Sequence, residues 1–320
     1  MHQQPGRRAA VSGSSVASGL RPEILALLAA MANGTIGPFS RIAFEAGAGH
    51  SEIAFFKCFG AFIIVASICL PFARYRRGVI DLRHKALPLC VLSATGIAGV
   101  YFLETWAYRS VSIPLVSLLI YAAGGLVLPI SALFLGERFG MRQIMIFALI
   151  LLGAVLLYAA ADLTANALSG VLLALLGGLA YAVFIVGAKA WKVGSGLAHL
   201  VWIFGFSSLI LFVPWWIEGA ALPGPVATLA ILGQILVPAI GGYWLTMAAV
   251  HKGKSTSSVQ VIETSEPVFA CLYAFLMFGD RLTSLGILGA VLVLLGLMLS
   301  VVRRNRRIAT APALVSEGSW

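Results

Sequence analysis

Five charged side chains, Arg41, Lys57, Glu104, Glu263 and Glu266, stand inside or at the edges of long apolar stretches. A charge surrounded by hydrocarbon is expensive, so each must face protein, a water-filled cavity or a partner. Glu263 and Glu266 are three residues apart, on related faces of one helix. Two carboxylates so placed can share a proton or attract an organic cation, and they can equally bond the backbone freed beside Pro267. Lys57 and Arg41 supply the opposite sign. Arg41 is also spaced to pair with Glu45 one helical turn on, and the Lys57 stem is long enough to snorkel to an interface. Together with Glu104 or Glu263, these cations suit the two ends of a zwitterion. Asn33, Gln234 and Gln260 add polar contacts, and Tyr101, Tyr121 and Tyr243 are candidate cavity walls, although aromatics near span ends also form interface belts.

The elements that hold these residues are membrane helices. Of 320 residues, 60% are hydrophobic and only 11% charged, with a mean hydropathy of +0.97, outside the soluble mixture. Apolar runs of helical length fall near 23–44, 52–71, 86–107, 112–135, 142–161, 169–188, 197–217, 228–250, 257–278 and 284–302. Each approaches the roughly 20 residues needed to cross a bilayer. Unbroken runs such as Ile144 to Ala161 disfavour a β-barrel, whose strands would alternate.

Assigning the loops alternately to two sides places 18 of the 22 Lys and Arg residues on the side of the N-terminus. That side is expected to be cytoplasmic, with both termini inside. The net charge of +10 is therefore topological punctuation and not a nucleic-acid surface. Residues 1–22 form a polar N-terminus without a leading apolar core, so no cleaved signal is expected, and 303–320 form a basic cytoplasmic tail. The tail's end, Ile308 to Trp320, and residues 1–22 are expected to be disordered.

Gly136-Glu137-Arg138-Phe139 follows the fourth run, and Gly279-Asp280-Arg281-Leu282 follows the ninth, 143 residues later. The same offset carries Arg109 onto Lys252 and Gly153 onto Gly296. Five spans per half is odd, so the second half enters the membrane inverted, as in alternating-access carriers. The expected units are a first five-helix repeat over 23–161 and a second over 169–302. Glu137, Arg138, Asp280 and Arg281 are read as turn and helix-end residues first. Gly34, Gly37 and Pro38 interrupt the first helix, where they provide either a gating bend or close packing.

Several chemistries are excluded. Lys252-Gly253-Lys254-Ser255 lacks the spacing and context of a phosphate loop, so no ATPase partner is required. The five histidines are scattered and no HExxH motif occurs, which leaves no metal or cofactor site and no enzyme chemistry. Cys58, Cys69, Cys90 and Cys271 lie in apolar runs and read as packing residues.

Trp106-Ala107-Tyr108-Arg109-Ser110-Val111-Ser112 through Phe134-Leu135-Gly136-Glu137-Arg138, with Glu266-Pro267-Val268-Phe269 through Phe278-Gly279-Asp280-Arg281, resembles the drug/metabolite transporter superfamily in its bacterial ten-span branch, known by the EamA domain. Pro267 matches the proline common before the glycine-acid turn, whereas the first half carries Gly124 there, and Asp280 replaces the usual glutamate. The resemblance implies an all-α polytopic fold of two inverted five-helix repeats in the inner membrane. It further implies a central cavity and export or exchange of a small metabolite, such as an amino acid or related amphipathic compound, with proton coupling open. A channel and a membrane-embedded enzyme acting on a lipid-linked or small amphipathic substrate are the alternatives. The sequence leaves the oligomeric state open and is compatible with a monomer.

Overall fold

A computed structural model describes residues 20–124, 140–160, 167–191, 196–252 and 265–309, with a few isolated positions between them. Every regular element among them is helical. The helices are α1 (Pro22–Asn33), α2 (Ile36–Glu45), α3 (His50–Cys69), α4 (Ala73–Asp81), α5 (Ala86–Leu92), α6 (Gly99–Ala107) and α7 (Ile113–Gly124). They continue as α8 (Met141–Ala159), α9 (Ala167–Ala190), α10 (Leu197–Ile217), α11 (Pro225–Gln234), α12 (Tyr243–Lys252), α13 (Glu266–Phe278) and α14 (Ser284–Ala309).

Five described helical stretches are long and apolar enough to cross a membrane: His50–Cys69, Tyr75–Ala107, Ala167–Phe184, Leu197–Ile217 and Pro225–Thr246. Four shorter apolar helices accompany them. The first apolar run is not one continuous helix. It is divided into α1 and α2 at Gly34-Thr35, where the Thr35 hydroxyl bonds back to the carbonyl of Ala32 at 2.6 Å and competes with the helical ladder.

Two further irregularities interrupt long helices. Ser93–Ala98, between α5 and α6, and Ile235–Gly242, between α11 and α12, are π-helical. The second contains Pro238, whose missing N–H removes a regular helical bond. Such bulges concentrate at functional positions. The 143-residue offset carries the start of the first to within one residue of the start of the second.

The packing follows the same correspondence. Helix α3 packs on α10, α8 on α14 and α7 on α13, while α1 and α2 pack on α11, α12 and α13, and α9 packs on α6 and α7. Exchanging α1–α2 with α9, α3 with α10, α5–α6 with α11–α12, α7 with α13, and α8 with α14 leaves this set of principal pairs unchanged. The match extends to single residues. A Cβ on Gly153 would lie 2.7 Å from the Gly289 carbonyl, and one on Gly296 would lie 3.5 Å from the Ile146 carbonyl. Adding 143 to Gly153 and Ile146 gives Gly296 and Gly289. Only glycine lets α8 and α14 approach this closely, since lipid offers no hydrophobic force to hold them and packing must do so.

The buried core of one cluster joins α3, α10 and α11 through Ile53, Phe55, Val65, Phe204, Leu211 and Ile231. A second joins α7, α8, α9 and α14 through Leu118, Leu119, Ile150, Leu157, Val171 and Val293. Large exposed apolar side chains, among them Leu209, Ile217, Leu229 and Leu276, lie on helices of membrane character, where lipid is their solvent.

Candidate substrate site

Lys57 lies seven residues into α3, about 10 Å along the helix from its start. It is 1% exposed. Its Nζ has no hydrogen-bond acceptor among the described residues and sits 3.5 Å from the centre of the Tyr101 ring. A desolvated cation over an aromatic face is worth about 2 kcal/mol. Desolvating an ammonium costs several. The ring alone therefore does not compensate a charge on Lys57, and a nearby anion would favour the charged form.

Glu104, 8% exposed on α6, lies within electrostatic reach of Lys57. Its Oε1 accepts a hydrogen bond from the Tyr108 hydroxyl at 3.0 Å. Tyr108 is also within hydrogen-bonding reach of Ser117 on α7. On α13 the first residue, Glu266, accepts a 2.7 Å bond from the Tyr121 hydroxyl of α7. Tyr101 and Tyr108 both feel the charges of Glu104 and Glu266. A cation–π pair, Lys57–Tyr101, and two hydrogen-bonded pairs, Tyr108–Glu104 and Tyr121–Glu266, thus lie within electrostatic reach of one another.

Local sequence explains the convergence. Tyr101, Glu104 and Tyr108 are spaced by three and four residues, which places all three along one helical face. Pro267 at the second position of α13 is buried and fits a helix start, where no N–H is needed. The turn at Ser265, whose hydroxyl bonds the Ile262 carbonyl at 2.6 Å, sets Glu266 at that start.

Other sequence-derived candidates occupy different places. Tyr243 packs with Tyr101 against the α3–α10 core. Gln234 is fully buried, and its Nε2 donates to Ser40 at 3.3 Å, tying α11 to α2. Asn33 places its amide oxygen against Gly242, Gly37 lies against Ile113, and Gly34 lies against the backbone of Phe269 and Ala270. Pro38 is buried in α2. Gly136, Glu137, Arg138, Gln260 and Glu263 lie outside the described residues.

Arg41 is part of a closure at the end of the molecule and is separate from the Lys57 cluster. Its Nη1 donates to Asp280 at 2.8 Å and its Nε to Glu45 at 3.0 Å, and its guanidinium lies 4.2 Å over the Phe278 ring. Asp280 follows Gly279, which ends α13 at φ 72°, a conformation glycine adopts without steric cost. Arg281 is exposed, 5.5 Å over the Phe275 ring. At the same end Ser51 donates to Glu218 at 2.6 Å, and His50 packs between Phe44 and Trp106. These contacts bring residues beside the connections at 46–49, 108–112, 218–224 and 279–283 together at one end of the bundle.

Sequence reasoning missed Ser117, His50 and Arg109 as parts of polar sites. The single hydroxyl of Ser117 within an apolar helix gives little signal, but its four-residue separation from Tyr121 was readable. Among the described residues no three His, Cys, Asp or Glu side chains converge on a metal position.

A polytopic helical bundle with Lys57 and Glu104 buried in its apolar interior suits a membrane carrier, in which intramembrane charges mark substrate and ion pathways. The EamA-like transporter family profile matches residues 20–159 and again 168–302. The chain belongs to this family, within the drug/metabolite transporter superfamily, and its work is transport and not catalysis. It is 27% identical over 286 residues to an uncharacterized transporter of Archaeoglobus fulgidus, covering 87% of this chain and 95% of that one. It is 28% identical over 260 residues to a probable terminal-alkyne amino-acid exporter of Streptantibioticus cattleyicolor, covering 78% and 86%. It is 26% identical over 277 residues to the pseudopaline exporter CntI of Pseudomonas aeruginosa, covering 83% and 92%. A solved crystal structure superposes with a TM-score of 0.61 over 90% of this chain and 99% of that one, at 19% identity, which shows a shared fold.

Proposed function

We propose that the protein exports a small zwitterionic metabolite, an amino acid or related amphipathic compound, across the inner membrane by alternating access. The observation that carries this reading is the buried Lys57 ammonium, without an acceptor among the described residues, beside the Glu104 and Glu266 carboxylates. Lys57 receives the carboxylate of the cargo, and Glu104 and Glu266 receive its ammonium. The aromatic rings of Tyr101 and Tyr121 supply the apolar wall. Export agrees with the names of two relatives, one an amino-acid exporter and one the pseudopaline exporter.

The halves 23–161 and 169–302 act as two inverted five-helix repeats, ten spans in all, with both termini cytoplasmic. The exchange-invariant helix packing and the twofold match to the family profile support this arrangement. The paired π-helical segments and the break at Gly34-Thr35 are the flexible points about which the halves rearrange. On this topology the Arg41–Asp280 bridge joins the first half to the second at the outer face. Breaking it accompanies outward opening.

Counterflow in liposomes across a panel of amino acids, amines and carboxylates tests the reading. A zwitterion should exchange saturably, and Lys57→Gln should abolish that exchange while the protein stays folded. Transport that is linear in concentration would indicate a channel. Coupling to protons through Glu104 or Glu266 is tested by imposing a pH gradient at clamped membrane potential. Equal rates with and without the gradient would rule out obligatory coupling.

A further inference from the structure

The end of the bundle that carries Arg41 and Asp280 holds a chamber of about 400 Å³, within the size range of small-molecule sites. Arg41, Glu45, His50, Tyr108, Arg109 and Ser112 contribute to its wall. Three of these are basic residue types and one is a carboxylate. Arg41 is committed to both Glu45 and Asp280. Arg109 is exposed and forms no ion pair among the described residues. It lies within electrostatic reach of His50, whose ring is fixed between Phe44 and Trp106.

Tyr108 belongs to two sites. It is among the residues that line this chamber, and its hydroxyl donates to Glu104 of the buried cluster. Tyr108 is therefore the residue shared by the chamber and the Lys57 site. We propose that the chamber is a second binding site, a relay station for the carboxylate of the outgoing compound, with Arg109 as its receptor and Tyr108 as the movable partition. This rests on the zwitterion reading of the Lys57 cluster.

A carboxylate leaving Lys57 would otherwise cross an apolar boundary unpaired, with its charge desolvated and uncompensated. A guanidinium waiting at the water-facing side removes that step. Opposite charges attract less strongly where water solvates them than in a buried, low-dielectric site. Arg109, being exposed, accordingly holds the anion more weakly than buried Lys57 does, and the compound proceeds outward instead of being trapped.

Equilibrium dialysis of radiolabelled benzoate against the purified full-length protein tests this, with benzyl alcohol as the uncharged competitor. The wild type should show two classes of benzoate site, neither displaced by benzyl alcohol. Arg109→Gln should weaken the looser class by about tenfold or more, the loss of a charge-assisted bond, and Arg109→Lys should retain most of it. Lys57→Gln should remove only the tighter class. An Arg109→Gln protein that binds as the wild type does, or a wild type with fewer than two classes, overturns the relay site. Retention of both classes in Lys57→Gln instead overturns the buried-site assignment and leaves the outer chamber standing.

Discussion

The Lys57 ammonium rests 3.5 Å from the centre of the Tyr101 ring, buried and without a hydrogen-bond acceptor among the described residues. A lysine serving only to hold helices together would be expected to sit on a carboxylate at bonding distance, because an uncompensated buried charge costs more than a ring returns. The arrangement fits a cation kept available for a ligand. Lys57→Met should therefore leave the protein folded, as judged by its thermal transition in detergent, and weaken binding of a transported zwitterion about ten- to hundredfold. Tyr101→Phe preserves the aromatic face and should bind nearly as the wild type does.

The zwitterion proposal assigns Glu104 to the ammonium end of the cargo. Glu104→Gln keeps an acceptor for the Tyr108 hydroxyl but removes the charge. Affinity for substrates bearing an ammonium should fall by about tenfold, while analogues lacking the amine should be bound as before. Competition against a labelled substrate in liposomes compares the two.

The Arg41–Asp280 bridge is partly solvated, with side-chain exposures of 36% and 17%. Its contribution to stability should accordingly be modest, about 0.5–1 kcal/mol in a double-mutant cycle of Arg41→Gln with Asp280→Asn. Its larger effect should be on conformation. A cysteine placed in the outer chamber at Ser112 should react faster with a membrane-impermeant thiol reagent in either variant than in the otherwise native protein.

Helices α8 and α14 meet through glycine. Gly153→Ala brings a methyl group to 2.7 Å from the Gly289 carbonyl, so the backbones must separate. The expected loss is about 1–3 kcal/mol, measured by chemical or thermal denaturation in detergent. Gly296→Ala should also destabilise, but by less, because its Cβ presses on the buried Ile150 side chain and meets the Ile146 carbonyl only at 3.5 Å.

Much of this was legible in the sequence because charges are rare in apolar runs and each one is informative. Lys57, Glu104 and Glu266 stood out on that ground, and the buried cluster is built from them. Tyr101 and Tyr108 were ambiguous, since aromatics near span ends also anchor interfaces, until the spacing of Tyr101, Glu104 and Tyr108 is read as one helical face. Arg109 and His50 were not legible as a site. They lie in or next to loops, where charge is ordinary, and only tertiary packing brings them to one chamber with Arg41. The π-helical turns were equally hidden: Pro238 hints at one, but nothing in Ser93–Ala98 breaks helical periodicity. The 143-residue offset, faint in residue identity, has a counterpart in the pattern of helix pairs and in the Gly153–Gly289 and Gly296–Ile146 contacts.

Lys57 and the two carboxylates are proposed to bind a zwitterion during transport. Counterflow of a labelled amino acid into liposomes containing wild-type or Lys57→Gln protein tests it most directly. Saturable exchange in the wild type, lost in the folded variant, is the expected result. Equal exchange in the two proteins would contradict it.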